Sequence, residues 1–529
     1  MHVWALWPWL ASDAVMAGCG RRSCGLMMRQ TDQASGEGMS TTTPGVATEP
    51  GAIARWARQW IVVPRKTYAA RLTLVALALA LQNLLELPRD PVTHALGATF
   101  TGGLVFLILA ASLVLLLTAV GVNPPRWRWP YRRQVQIAAL CLTLFVVPLG
   151  IFQSVKVVAA SFSSPHYAND GTTLDHYAAQ QLLAGHNPYV TSDIVAAIRA
   201  FHQDPANTTP LRQGAFANTP PTDYPSKDQL RAVFAQQPVG NPDAVSAFES
   251  RVSYPALAFL PLVPFVWAGL PSVVLFFALC LLALAILLVR SVPPDCRLWL
   301  ALLVLADTPL LNAALVGDLD VFYILLLFIA WRWWRRPVVS AVAFGLALAA
   351  KQLAWFFAPF YLLLVWRRSG AREALWRLVG SVAIFAVINA PFVINNPRAW
   401  ARGVLAPQID PMFPLGNGLV RISLAGVLPL APAPVYLTLE SLAIAVCLVI
   451  YWRQPRPGAG LGFVLAVTPL WFAWRSLTTY FYFVTLPALA LALSDEAAEG
   501  MRDKPALLSG RALVTRTGGD EGREAVRHE

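Results

Sequence analysis

Few residues in this 529-residue chain have both the type and the spacing that chemistry needs. Asp170 and Asp175 open the segment Asn169-Asp170-Gly171-Thr172-Thr173-Leu174-Asp175-His176-Tyr177, just beyond a long apolar run. A carboxylate at a membrane boundary can take a proton from an amphiphilic substrate's hydroxyl, and partial loss of water strengthens it as a base. The plain alternative is an acid that caps a turn or solvates a loop. Asp318, Asp320 and Lys351 lie within or beside apolar helices, where a charge at the bilayer centre costs about 2.5–3.5 kcal/mol. The hairpin between 319 and 350 returns Lys351 to the face of Asp318 and Asp320, which makes it the natural counter-ion for one or the other. Its functional alternative, with Arg475, is to neutralise a phosphate. Trp471, Trp474, Tyr480 and Tyr482 flank Arg475, either as an interfacial aromatic belt or as a face for a sugar or a polyprenyl phosphate. Asp307, followed by Pro309 and Asn312, sits deeper and is expected to make an interhelical hydrogen bond.

The elements that must position these groups are membrane helices. The chain is 56% hydrophobic and 13% charged, with a mean hydropathy of +0.53, whereas soluble domains carry about a quarter charged residues. Runs near the length needed to cross about 30 Å of hydrocarbon recur and lack the polar alternation of barrel strands. The expected fold class is an all-α polytopic membrane protein with about twelve crossings. They fall at 72–87, 100–121, 135–158, 272–289, 298–316, 319–334, 338–350, 353–366, 377–394, 435–452, 461–474 and 478–493. Two further apolar stretches, 254–268 and 419–430, are short and broken by Pro255, Pro261, Pro264 and Pro429, and read as re-entrant or interfacial.

Charge segregation supports this count. Roughly twenty Arg and Lys residues then collect on the cytoplasmic side, against about six on the short opposite connections. If both broken stretches crossed fully, that segregation would be lost. The resulting organisation has residues 1–50 as a disordered or misassigned start and 51–71 as an interfacial amphipathic segment. Three crossings follow over 72–160, then a long outer loop over 161–253, a bundle over 254–494 and a disordered cytoplasmic tail over 495–529. Gly317–Asp320, Lys351, Asn395–Asn417 and Arg475 arrive at the same outer face as the loop. Within the loop, 178–184 reads as a short helix stopped by Gly185, with Pro188 beyond it.

Other classes are excluded on the same evidence. The net charge of +12 sits in short clusters between apolar runs, where orientation signals lie, so no nucleic-acid partner is inferred. The six cysteines show no zinc or redox spacing, and no elbow, Walker, zincin or dinucleotide motif has a supporting context. Val3–Leu10 lacks a preceding basic residue and is a poor signal peptide; a start at Met39 is the simpler reading.

The ordering of motifs resembles a known family. An Asp in the first large outer loop is followed by Leu-Leu-x-Gly-x-Asn-Pro-Tyr, here Leu182 to Tyr189. Tyr254-Pro255 then opens a Pro-rich apolar stretch, and Asn312, Gly317-Asp318-Leu319-Asp320 and Lys351 follow. This pattern, over about 160–480, resembles the GT-C glycosyltransferases, most nearly the polyprenol-phosphate-mannose-dependent α-1,2-mannosyltransferases of glycosyltransferase family 87. The resemblance implies an inverting transferase of a bacterial plasma membrane, with both termini cytoplasmic. It would move a sugar, with mannose the expected one, from a polyprenyl phosphate to a glycolipid or glycan acceptor at the outer face, without a cofactor or metal. Asp170 matches the family's base by its distance to Gly185, with Asp175 second. Lys351 and Arg475 are the expected phosphate ligands, and Tyr189, Tyr254, Asn312, Asp318, Asp320 and Asn417 the further site candidates. Two departures stand out: Asp318 where the family often has Gln, and Trp474-Arg475 where His residues are common. The rival readings are a transporter or lipid flippase using Asp307, Asp318, Asp320 and Lys351 as a path, and a non-catalytic scaffold.

Overall fold

The computed structural model describes residues 66–87, 93, 96–121, 132–238 and 246–514, all within one compact unit, Ile53–Glu529. The expectations for residues 1–50 and for most of 51–71, including the start at Met39, lie outside the described residues.

Three helices open the bundle: α1 (Lys66–Leu85), α2 (Ala98–Val120) and α3 (Arg132–Ala160). The loop begins with α4 (Asp170–Leu183). The rest of the bundle comprises α5 (Val274–Ser291), α6 (Arg297–Ala306), α7 (Thr308–Val316), α8 (Asp320–Arg332), α9 (Pro337–Ala350), α10 (Ala358–Ser369), α11 (Ala371–Asn395), α12 (Ala433–Trp452), α13 (Ala459–Val467) and α14 (Thr485–Val514). The all-α polytopic reading holds. One apolar core runs from Tyr68 to Leu493 and includes the fully buried Trp331, Tyr323 and Tyr361.

The count of twelve crossings is not reached by helix length. Among the described residues seven segments are long and apolar enough: Thr67–Leu85, Ala98–Val120, Arg133–Ala160, Val274–Ser291, Ala371–Asn395, Ala433–Trp452 and Thr479–Glu499. An eighth is possible only as the pair Pro294–Ala306 and Thr308–Val316, bent by 55°. Helices α8, α9 and α10 have 13, 14 and 12 residues, and α13 has 9. At about 1.5 Å per residue these legs span well under 30 Å. Hydropathy registered their apolar character and not their interruptions.

The bend has an identifiable cause. Asp307 caps α7 by accepting a hydrogen bond from Leu310 N, and Pro309 is fixed in the first turn. The Asn83 side chain donates to Ala306 O, which serves the carbonyl that the break frees. Asp307 is therefore a cap, and the expected interhelical bond is made by its neighbour. The stretch after Tyr254 forms only short 3-10 turns and the helix Val263–Trp267, because its prolines remove backbone donors. Only Val420–Leu424 is helical in the second broken stretch.

Three other expectations need correction. The loop helix starts at Asp170, not 178, because the Asn169 side chain accepts from Thr172 N and so nucleates it earlier; it still ends just before Gly185, where φ is +81°. The tail expected to be disordered from 495 continues as α14 to Val514. Two bonds anchor its start: Arg71 Nε donates to Glu496 Oε2 at 2.9 Å, and Asp495 accepts from Ala459 N at 2.8 Å. Of the aromatics around Arg475, Trp471 and Tyr482 are buried in the core, which leaves the half-buried Trp474 and Tyr480 as the members able to face an interface or a ligand.

Candidate active site

Helix α4 carries the loop's two candidate acids and is clamped to the bundle at its N-terminus. Thr172 Oγ1 donates to Gly317 O at 2.7 Å, and a side chain on Gly317 would press against Thr172 Cγ2 at 2.9 Å. Gly317 has φ +76°, so it meets both demands of this turn: a left-handed backbone and a close approach. Tyr254 packs against Gly171, and its carbonyl accepts from Tyr189 OH at 2.8 Å. Asn187 reaches Asn395 at 2.7 Å, so the Gly-x-Asn-Pro-Tyr segment fastens the loop to the end of α11. Gln352 adds two ties, donating to Ser253 O and to Val404 O.

Five residues apart on one helix, Asp170 and Asp175 face different surroundings. Asp170 is half-buried, and its Oδ2 accepts the backbone N–H of Thr209 at 2.7 Å. Asp175 is 1% exposed, and neither carboxyl oxygen has a hydrogen-bond partner. Burial pushes its carboxyl well above the usual range, only partly offset by the positive charge of Lys351.

Lys351 lies just past α9 and is itself buried. Its ammonium donates to Asp320 Oδ1 at 2.5 Å and stands 4.0 Å from Asp318 Oδ1. The rings of Tyr254 and Tyr323 lie 5.2 and 5.7 Å away. Two carboxylates thus share one cation, which leaves it little charge for an outside anion.

Arg475 is differently placed. It belongs to the two-residue strand β2 (Arg475–Ser476), which pairs in parallel with β1 (Leu415–Gly416). Gly416 has φ +125°, and a side chain there would collide with Ser476 O, so the pairing depends on glycine. Asn417 extends it, with Asn417 N donating to Ser476 O at 2.8 Å and its amide bonding Thr478. Arg475 is half-exposed, and its Nη1 is buried without a hydrogen-bond partner. Its charge acts on Glu249, Tyr224 and Tyr480; Asp170 acts on the first two, and Lys351 on the third.

Sequence reasoning missed Glu249 and Tyr224. Burial raises Glu249 to about 8, with the Asp170 charge the next cause. Its distance of five residues from Tyr254 was the one available signal. Asn312 is half-buried on α7 ahead of Gly317. Among the described residues no three His, Cys, Asp or Glu side chains gather as a metal ion would require.

A half-buried carboxylate and a half-exposed guanidinium with an unpartnered Nη1, both acting on Glu249 and Tyr224, are suited to deprotonating a hydroxyl near a bound anion. The comparisons agree in class. Residues 253–471 match the family model described as Glycosyltransferase family 87. No curated protein and no solved structure matches the chain significantly. The match spans the Tyr254 stretch, the Asp318–Asp320 turn and Lys351, and it sets aside the transporter and scaffold readings.

Proposed function

We propose that this membrane-embedded glycosyltransferase of family 87 takes its sugar, mannose in our reading, from a polyprenyl phosphate at the outer face of the plasma membrane. The acceptor is a hydroxyl of a glycolipid or glycan. The observation that carries this reading is that the Asp170 and Arg475 charges both act on Glu249 and Tyr224, the one suited to accept a proton and the other, with its unpartnered Nη1, to receive a phosphate.

In this scheme the donor's prenyl chain stays in the bilayer while Arg475 holds its phosphate. Lys351 adds only the charge that Asp320 and Asp318 leave to it. The acceptor oxygen forms a bond to the anomeric carbon as its proton passes to Asp170. The bond from that carbon to the phosphate oxygen breaks, and its electron pair departs with the polyprenyl phosphate. A single displacement inverts the anomeric centre. Asp170 is preferred to Asp175 as the base because it is half-buried and reachable, whereas Asp175 is 1% exposed and burial pushes its carboxyl well above the usual range.

The test is transfer by the purified protein in nanodiscs, offered either radiolabelled polyprenyl-phosphate mannose or the corresponding nucleotide sugar with a membrane-extract acceptor. Product from the lipid donor alone is expected. Product from the nucleotide sugar alone would overturn the proposal.

A further inference from the structure

Glu249 stands outside the proposed chemistry and yet touches each part of it. Its backbone N–H donates to Thr209 O at 3.0 Å, while Thr209 N donates to Asp170 Oδ2 at 2.7 Å, so one residue ties the two acids together. The Glu249 side chain is 8% exposed, and its Oε1 is buried without a hydrogen-bond partner. The groups that act on it are Asp170 from α4, Arg475 from β2 and Asp410 from the segment before β1 through their charges, and Ser253 from its own stretch of chain through a side-chain hydrogen bond. Arg251 in turn acts on Asp410, and Arg475 is the cation that acts on Glu249 against the Asp170 charge. If Asp170 and Glu249 were both ionised, their two negative charges would outweigh Arg475 and leave no positive charge for a phosphate.

We propose that Glu249 is a positioning residue for the donor, the second carboxyl of a pair with Asp170 that carries a single negative charge between them and so leaves Arg475 receptive to the phosphate. This rests on the proposed function above. Protonated Glu249 keeps the site open to an anion, and loss of that proton closes it. The titration range agrees, since burial and the Asp170 charge hold the group at about 8. The backbone link through Thr209 survives any side-chain change, so substitution isolates the charge.

The experiment measures binding of polyprenyl-phosphate mannose to the full chain in nanodiscs across the neutral and alkaline range. This donor is a phosphodiester, so its own charge is constant there. Wild type is expected to lose affinity about tenfold per pH unit above the titration. Glu249→Gln should bind as tightly at neutral pH and lose the alkaline limb, and Glu249→Asp should restore the limb. A limb that persists in Glu249→Gln would overturn the proposal. Should the donor bind at no pH, the phosphate reading falls, and a ligand-free infrared titration still decides the pairing. A protonated-carboxyl band that disappears near pH 8 in wild type, is missing in Glu249→Gln and shifts to lower pH in Asp170→Asn supports it. A band unmoved by both substitutions overturns it.

Discussion

The bundle's two charged clusters are built from the same side-chain types and behave in opposite ways. Around Lys351 the cation is buried against Asp320 and Asp318, with Asp175 held nearby as a carboxyl without hydrogen bonds. Around Arg475 the cation is half-exposed with an unpartnered nitrogen, and Asp170, whose charge acts on Glu249 and Tyr224 as that of Arg475 does, is half-buried. Desolvation decides the difference. Charges taken out of water must be compensated internally, and once compensated they have little left for a ligand. On our proposal the Lys351 cluster is a fastening between α8 and α9, and the Arg475 cluster is the one left to bind.

Four substitutions sharpen or break that contrast. Asp170→Asn should lower kcat about 10²- to 10⁴-fold, the usual worth of a general base, with an unchanged melting temperature. Turnover close to wild type would remove Asp170 from the chemistry. Lys351→Met should destabilise the fold by about 3–5 kcal/mol, because it leaves Asp320 buried and unpaired. An unaltered thermal melt would show that the cluster is not a fastening. Arg475→Gln should raise the donor KM about tenfold or more and leave the melting temperature alone, as befits a group that serves the ligand. If it melted early while binding normally, the roles of the two cations would be exchanged. The smallest effect is expected from Asp175→Asn, which changes a carboxyl shut away from substrate and pushed by burial toward its neutral form, so activity should stay within about threefold of wild type. A loss as large as that of Asp170→Asn would make Asp175 the base.

Much of this was legible beforehand. Apolar runs announced the helices, because crossing hydrocarbon is a demand on composition that each segment meets alone. The ordering of Leu182–Tyr189, Tyr254, Asp318–Asp320 and Lys351 pointed to the transferase class that the family match supports. The position of Lys351 beside Asp320 followed from one short hairpin, α8 to α9, whose length returns the chain to its starting face. Helix lengths were less legible. The break at Asp307 and the short legs α8, α9, α10 and α13 depend on caps and prolines that a hydropathy window averages away.

By itself, then, the sequence determined the class of environment, the helical solution and the order of the motifs, since hydropathy and turn chemistry act over a few residues. Only the tertiary structure decided that Asp175 is shut away while Asp170 is reachable, that Asp320 and Asp318 share Lys351, and that Glu249 joins Asp170 through Thr209. Desolvation and charge compensation are set by neighbours tens to hundreds of residues away along the chain, and no local pattern encodes which neighbours those will be.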